Sequence, residues 1–322
     1  MINGKKIIKN HILECILILL ILIMSVTTYG FFTPGNLLNI LRNVSFQGCI
    51  AFGMTMVIIS GEIDLSIGSG VALSGVIAAL TSGGLAKMGI MPMEQAVIVG
   101  MVLSLLTAAC IGLFNGWLLT KFKMPSFIIT LAMMNVLYGT AAIIAKGFPV
   151  TTLPKWYSYL GAGRIFNVIP VPVIFLLLVF AFNFAVMNYT RFGRSVYAVG
   201  GNAEAARLSG INVAKVKMFT MINVQMCTAL SGILVSSQVM SASATFGRGW
   251  EMTAISSVII GGASLSGGTG RVGRTFVGLV FLGVIINGMT LLNVNEYAQY
   301  VVRGLLILIA VLINTVQSRR KS

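Results

Sequence analysis

Ten stretches of mostly apolar residues, each close to the length that crosses a bilayer as a helix, recur along this 322-residue chain. A helix rises about 1.5 Å per residue and the hydrocarbon core is about 30 Å thick, so about 20 apolar residues span it. The stretches lie at 12–32, 37–60, 66–84, 95–120, 125–145, 169–189, 217–240, 252–266, 274–292 and 297–316. The eighth is short and glycine-rich and reads as broken or re-entrant. Hydrophobic residues make up 57% of the chain and charged residues 9%, against about 25% charged in a soluble domain. Too little polar surface is left to face water. The expected class is all-α integral membrane: one transmembrane domain over 12–316, a basic segment 1–11 before it and a basic tail 317–322 after it. Lys5, Lys6 and Lys9 before an apolar run imitate a secretion signal. The run is long enough to span, however, and no small-x-small cleavage site follows, so it reads as a retained first helix.

The net charge of +15 does not read as nucleic-acid binding, because the cations fall in short clusters between apolar runs rather than along one face. It reads as topology, through the excess of Lys and Arg in cytoplasmic loops. With the N-terminus inside, fifteen cations lie on the inner side: Lys5, Lys6, Lys9, Lys121, Lys123, Arg191, Arg194, Arg207, Lys215, Lys217, Arg271, Arg274, Arg319, Arg320 and Lys321. The outer side holds five: Lys87, Lys146, Lys155, Arg164 and Arg248. An even number of spans then puts both termini in the cytoplasm. The longest inner loop, 190–216, has helical character around Ala203–Ser209, with Asn202 as its N-cap and Gly210 as its stop. The longest outer loop, 146–168, carries Pro149, Pro154, Trp156, Tyr157 and Tyr159, which suggest a short structured segment at the surface.

The residues exclude several chemistries. The single histidine, His11, sits at a membrane edge, and neither H-E-x-x-H nor G-x-S-x-G occurs, so no metal site and no catalytic constellation are expected. Gly268-Thr269-Gly270-Arg271-Val272-Gly273-Arg274-Thr275 comes one residue short of a phosphate-binding loop. Arg stands where a lysine must reach the phosphates, and membrane segments replace the strand and helix of an α/β domain. It reads as an inner turn whose arginines fix topology. Cys15, Cys49, Cys110 and Cys227 lie in apolar segments with no C-x-x-C pair, and are expected to be buried free thiols. No cofactor is implied.

Charge at membrane depth is costly and therefore informative. Arg42 and Arg303 lie early in their spans and can snorkel outward; Glu251 and Glu296 fall at expected outer ends. Glu62, Asp64 and Ser66 occupy the break between the second and third spans. Asp64 and Ser66 either cap the third helix or belong to a gate on the transport pathway. Polar residues within spans, Gln47, Asn115, Asn135, Asn223, Gln225 and Asn287, either line the pathway or join helices. Acidic and histidine relays of ion-driven carriers are scarce, which favours a transporter energised by a separate subunit. Val57-Ile58-Ile59-Ser60-Gly61 with Asp64-Leu65-Ser66 is echoed by Val258-Ile259-Ile260-Gly261-Gly262 with Ser264-Leu265-Ser266, a pattern compatible with an internal repeat.

Six motifs run in order along the chain: Gly53-Met54-Thr55; Ile63-Asp64-Leu65-Ser66-Ile67-Gly68-Ser69; Pro125-Ser126-Phe127-Ile128-Ile129-Thr130-Leu131; Arg191-Phe192-Gly193-Arg194; Gly200-Gly201-Asn202 through Ser209-Gly210-Ile211-Asn212-Val213; and Ile260-Gly261-Gly262 through Gly267-Gly268-x-Gly270-Arg271. Together, over roughly residues 30–315, the chain resembles the permease subunits of ribose-type ABC importers in bacterial inner membranes. The resemblance implies a multi-pass permease passing a monosaccharide such as ribose, with autoinducer-2 or another small polyol as the alternative solute and an ion-driven carrier as the competing class. It implies three protein partners: a cytoplasmic ATP-binding cassette protein with tandem cassettes, an extracytoplasmic sugar-binding protein, and a second permease copy. Glu204-Ala205-Ala206-x-x-x-Gly210, capped by Asn202, resembles the segment through which such permeases couple to the ATPase; the Ile-x-Leu-Pro that follows it in the general motif is absent.

Overall fold

A computed structural model of the chain describes residues 12–319. Segment 1–11 with His11, and residues 320–322, lie outside the described residues. The ten apolar stretches each become a helix: α1 (Ile12–Thr27), α2 (Pro34–Ile59), α3 (Ile67–Lys87), α4 (Met93–Lys121), α5 (Ser126–Ile144), α7 (Val171–Tyr189), α10 (Val213–Val239), α11 (Trp250–Ile260), α12 (Val272–Leu291) and α13 (Glu296–Arg319). Seven of them, α2, α3, α4, α5, α7, α10 and α12, are long and apolar enough to cross a membrane. Proline sets several starts, where a missing N–H costs nothing. Pro34 opens α2 behind Thr33, whose side chain accepts from Asn36 N–H, and Pro92, Pro125 and Pro170 immediately precede α4, α5 and α7.

Segment 146–168, read from sequence as an outer loop, is structured as expected. It holds a 3-10 turn (Lys155–Tyr157), α6 (Ser158–Ala162) and β1 (Arg164–Ile165), which pairs antiparallel with β2 (Ile169–Pro170) just beyond it. The segment read as a loop at 190–216 is more ordered than expected. Besides α9 (Ala203–Leu208) it contains α8 (Arg191–Gly201). Arg191 and Arg194 are exposed there while Gly193, Val196 and Val199 are buried, so α8 is amphipathic at a helical period.

Many polar side chains are buried inside the bundle beside its apolar core, while many apolar side chains face outward. α10 packs against α2, α3 and α4, and its buried face includes Thr220, Gln225, Thr228, Ser231, Ser236 and Ser237. On α4, Ile98, Val102, Leu106 and Leu113 are exposed. That inversion suits a hydrocarbon surround, where association rests on close packing and interhelical hydrogen bonds. Close packing needs small residues: a Cβ on Gly112 or Gly116 of α4 would strike the backbone of Ile222 or Met218 on α10. The cysteines divide rather than all being buried. Cys49 and Cys227 are buried, but Cys15 and Cys110 lie on outward-facing helix surfaces; all four are free.

The internal echo is structural. At the end of α2, Gly61 N–H donates to Ile58 O (2.9 Å) and Glu62 N–H to Val57 O (3.1 Å); at the end of α11, Gly262 N–H donates to Ile259 O (2.8 Å) and Ala263 N–H to Val258 O (3.2 Å). Both are Schellman caps, with Gly61 and Gly262 at φ +83° and +90°. The eighth stretch is broken as expected: α11 ends at Ile260, and an irregular turn runs to Arg271. Glu251 is half-buried rather than open to its surroundings. Its carboxylate packs against Gly68 at the start of α3, and Gly247 packs there too, so residues 241–249 descend into the bundle before α11 begins.

Candidate functional site

The chain between α2 and α3 runs through the interior as an irregular segment, residues 62–66, and a polar cluster holds it. Asp64 is fully buried. Its Oδ1 accepts from Ser66 N–H (2.8 Å) and Ser66 Oγ–H (2.6 Å), and its Oδ2 from Gln225 Nε2 (2.8 Å). Ser66 Oγ also accepts from Gln225 Nε2 (2.8 Å) and Asn115 Nδ2 (3.4 Å). Gln225 Oε1 and Asn115 Oδ1 are buried without a partner. The segment's backbone is clamped by α5, where Ser126 Oγ accepts from Ile63 N–H (3.2 Å) and Thr130 Oγ1 donates to Ile63 O (3.4 Å). Ser66 occupies the N-cap position of α3 without bonding a helical N–H through its side chain. Asp64 therefore closes a turn on Ser66 instead of capping the helix, because both carboxylate oxygens are already taken by Ser66 and Gln225.

Glu62 forms an ion pair with Lys217 of α10; the side chains are 10% and 21% exposed. Removing one partner strands the other charge in a poorly solvated place, at about 3 kcal/mol or more, whereas replacing both is often close to neutral. Lys217→Met is expected to lower stability by about 3 kcal/mol, and Glu62→Gln with Lys217→Met to fall within about 1 kcal/mol of the parent. Thermal unfolding in detergent reads both; equal losses in the single and double variants would remove the pair from the account.

The other in-span polar residues lie apart from this cluster. Asn287 of α12 and Asn36 of α2 exchange two amide hydrogen bonds (2.8 and 2.9 Å), and Asn223 donates to Asn183 Oδ1 (2.9 Å) between α10 and α7. Asn135 is exposed and donates to Leu131 O of its own helix (3.0 Å), and Gln47 is half-buried on α2. Lys217, Asn36 and Asn183 are partners that the sequence does not single out, and Ser126 and Thr130 stand out there only within the Pro125–Leu131 motif. In sequence Lys217 reads only as a topological cation, and Asn36 and Asn183 carry the same signal as the other in-span amides.

A second constellation lies at the end of the bundle that carries α8 and α9. Asn202 Oδ1 caps α9 by accepting from Ala205 N–H (2.9 Å), and Gly210 follows with φ +82°, both as expected from sequence. Glu204 accepts two bonds from Arg207 (2.6 and 2.9 Å), with both side chains exposed. Those bonds hold the Glu204 carboxyl below its ordinary value, so it is charged at neutral pH. Ala205 lies beside Glu204 on the surface, and Ala206 is buried. Immediately before this helix, Gly200 packs against the carbonyl of Ile59, Gly268 N–H donates to that same carbonyl (2.8 Å), and Tyr197 Oη donates to Gly270 O (2.9 Å). The end of α8 is thus locked into both echoed turns, one step from Glu62 and Asp64. No group of three or more metal-ligating side chains occurs among the described residues.

A family model described as "Branched-chain amino acid transport system / permease component" matches residues 36–311. The ribose import permease protein RbsC of Bacillus subtilis is 41% identical over 307 residues, covering 95% of this chain and 91% of the relative. The Escherichia coli K12 protein of the same name is 39% identical over 302 residues, covering 92% and 91%. The L-arabinose ABC transporter permease protein AraH of Azospirillum brasilense is 33% identical over 310 residues, covering 95% and 88%. No solved structure matches the chain.

Proposed function

This chain belongs to the family of branched-chain amino acid transport system / permease components, and on that premise we propose that it is the membrane-spanning permease of an ABC importer for a monosaccharide of the ribose class, in a bacterial inner membrane. The carrying observation is that the ribose import permeases match it over at least 92% of its length. It is a permease component rather than an enzyme, and ATP hydrolysis belongs to a separate subunit.

The finer reading has all ten helices as spans and both termini in the cytoplasm, which places α8 and α9 inside with the larger share of the cations. Two copies form the pathway, a sugar-binding protein delivers solute from outside, and tandem cassettes dock on α9 through Asn202, Glu204, Ala205, Ala206 and Gly210. Cassette closure moves α9. The contact of Gly200 with Ile59 and Gly268 passes that displacement to the two echoed turns, and segment 62–66, with Glu62, Asp64, Ser66, Asn115 and Gln225, acts as the inner gate. Rigid transmission is the physical requirement, since packed elements shift between discrete arrangements rather than bending continuously.

Glu204→Ala removes the exposed carboxylate. Gly210→Pro removes both the positive φ and the N–H that donates to Arg207 O (3.0 Å). In proteoliposomes holding permease, cassette protein and binding protein, each is expected to cut ATP-driven ribose uptake about tenfold, equivalent to about 1.4 kcal/mol of coupling. Uptake at the parent rate in both variants sinks the docking role. Ribose uptake by the permease alone under an ion gradient sinks the importer reading itself.

A further inference from the structure

A groove outside the proposed pathway lies between α7 and α10, with a cavity volume of about 410 Å³. One wall is Phe182 and Val186 of α7 with Thr190 just past its end; the other is Phe219 and Asn223 of α10, with Met56 at the back. Both walls run at intervals of four residues, so each is a single stripe along its helix. From Phe182 to Thr190 the groove is about 12 Å long at 1.5 Å per residue, close to the half-thickness of the hydrocarbon core. It is open to the surroundings, with Phe182 and Phe219 both more than half exposed. The polar amide at its floor is already engaged, because Asn223 donates to Asn183. The site therefore offers almost nothing to a sugar and much to a hydrocarbon chain.

One end is different. There Thr190 Oγ1 donates to Val186 O (2.7 Å) and accepts from Gly193 N–H (3.1 Å), which turns the chain sharply so that α8 crosses the end of α7. Phe192 closes the groove at this end, stacked edge-on against Phe219 with centroids 6.1 Å apart. Arg191 and Arg194 flank Phe192 on the exposed face of α8, and Lys215, one turn before Phe219 on α10, is exposed on the same stripe. No carboxylate pairs with these three cations among the described residues; the neighbouring acids, Glu62 and Glu204, are paired with Lys217 and Arg207.

We propose that this groove is a binding site for an anionic phospholipid. One acyl chain lies between the α7 and α10 stripes, and Arg191, Arg194 and Lys215 hold the phosphate and the anionic headgroup. The length, the depth and the placement of cations at one end only match one lipid standing in one leaflet, with its charge at the α9 end. Anionic lipid attracts each surface cation, and the greasy slot fixes where the chain sits. A lipid there braces the α7–α8–α10 junction, which leads directly to Gly200. The proposal needs the membrane location of the chain but not the identity of the solute.

Native mass spectrometry of the full-length chain, released from nanodiscs of mixed phosphatidylcholine and phosphatidylglycerol, tests it. The parent is expected to retain phosphatidylglycerol in preference to phosphatidylcholine. Arg191→Gln with Arg194→Gln and Lys215→Gln is expected to erase that preference, at about fivefold for each cation removed. Val186→Trp, which fills the slot, is expected to displace both lipids. Should that variant fold poorly, the surface triple variant, which alters no buried contact, still decides the matter. Unchanged phosphatidylglycerol retention in the triple variant overturns the proposal. So does efficient Phe219→Cys cross-linking between two copies in native membranes, which would make the groove a protein interface. Loss of ribose uptake bears on the solute reading and leaves the lipid measurement untouched.

Discussion

Gly200→Val is expected to reduce ATP-driven sugar uptake to background, while Gly201→Ala, one residue on, leaves it close to the parent rate. A Cβ at position 200 would meet the carbonyl oxygen of Ile59 and the amide nitrogen of Gly268. Both are backbone atoms, so no rotamer change makes room, and the hydrogen bond between them (2.8 Å) must open or α8 must lift away. Overpacking of this kind costs about 1–3 kcal/mol and a lost hydrogen bond about 1 kcal/mol. That is less than the 5–15 kcal/mol that holds a typical fold together, so the chain should still reach the membrane with its helices intact. What it loses is the seam between α8 and the two turns. A Cβ at position 201 meets nothing, so alanine fits there without a clash. The measurement is ATP hydrolysis and uptake side by side in the reconstituted importer. Hydrolysis persisting without uptake in Gly200→Val is the expected signature of a broken linkage. Full uptake in that variant would mean that force reaches the gate by another route.

The contrast between these two glycines shows where sequence reading stops. The ten helices were legible because all but the short eighth are long apolar runs, and lipid leaves a chain few other ways to satisfy its backbone. The cap at Asn202 and the stop at Gly210 were legible because each is set by neighbours within a few residues. Helix α8 was missed because RFGRSVYAVGG is short and rich in glycine, and its helical state depends on burying Val196 and Val199 against the bundle. For Asp64 the sequence leaves both a cap and a gate open, because its partner Gln225 is 161 residues away. Lys217 reads as a topological cation for the same reason; nothing near it in sequence announces Glu62. The choice of in-span polar residues mixed members of the cluster with amides that join helices, since amide composition is identical in Asn115, which reaches Ser66, and Asn135, which bonds only its own helix.

Asp64→Leu is expected to be the most destabilising single change in the cluster, and Asp64→Asn to be mild. Leucine has the same branched outline, is bulkier, and accepts nothing. Ser66 N–H and Ser66 Oγ–H then lose their acceptor, and Gln225 Nε2 keeps only Ser66 Oγ. Each buried donor left unmade costs about 1–3 kcal/mol, and water is scarce at this depth to make up the difference. A loss of about 2–6 kcal/mol follows, with a melting temperature lower by something on the order of 10 °C and uptake reduced as segment 62–66 comes loose. Asparagine retains Oδ1 for both Ser66 bonds. Its new amide donor faces Gln225, whose Oε1 has no partner in the parent; a half-turn of the Gln225 amide supplies the missing acceptor, so the cost should stay near 1 kcal/mol. The pairing also predicts a partial rescue. Adding Gln225→Leu to Asp64→Leu removes one of the stranded donors, so the double variant should be more stable than the sum of the two singles by about 1 kcal/mol or more. Additive losses would show that Asp64 and Gln225 act independently, and an unchanged melting temperature in Asp64→Leu would show that the buried carboxylate does not hold the segment in place.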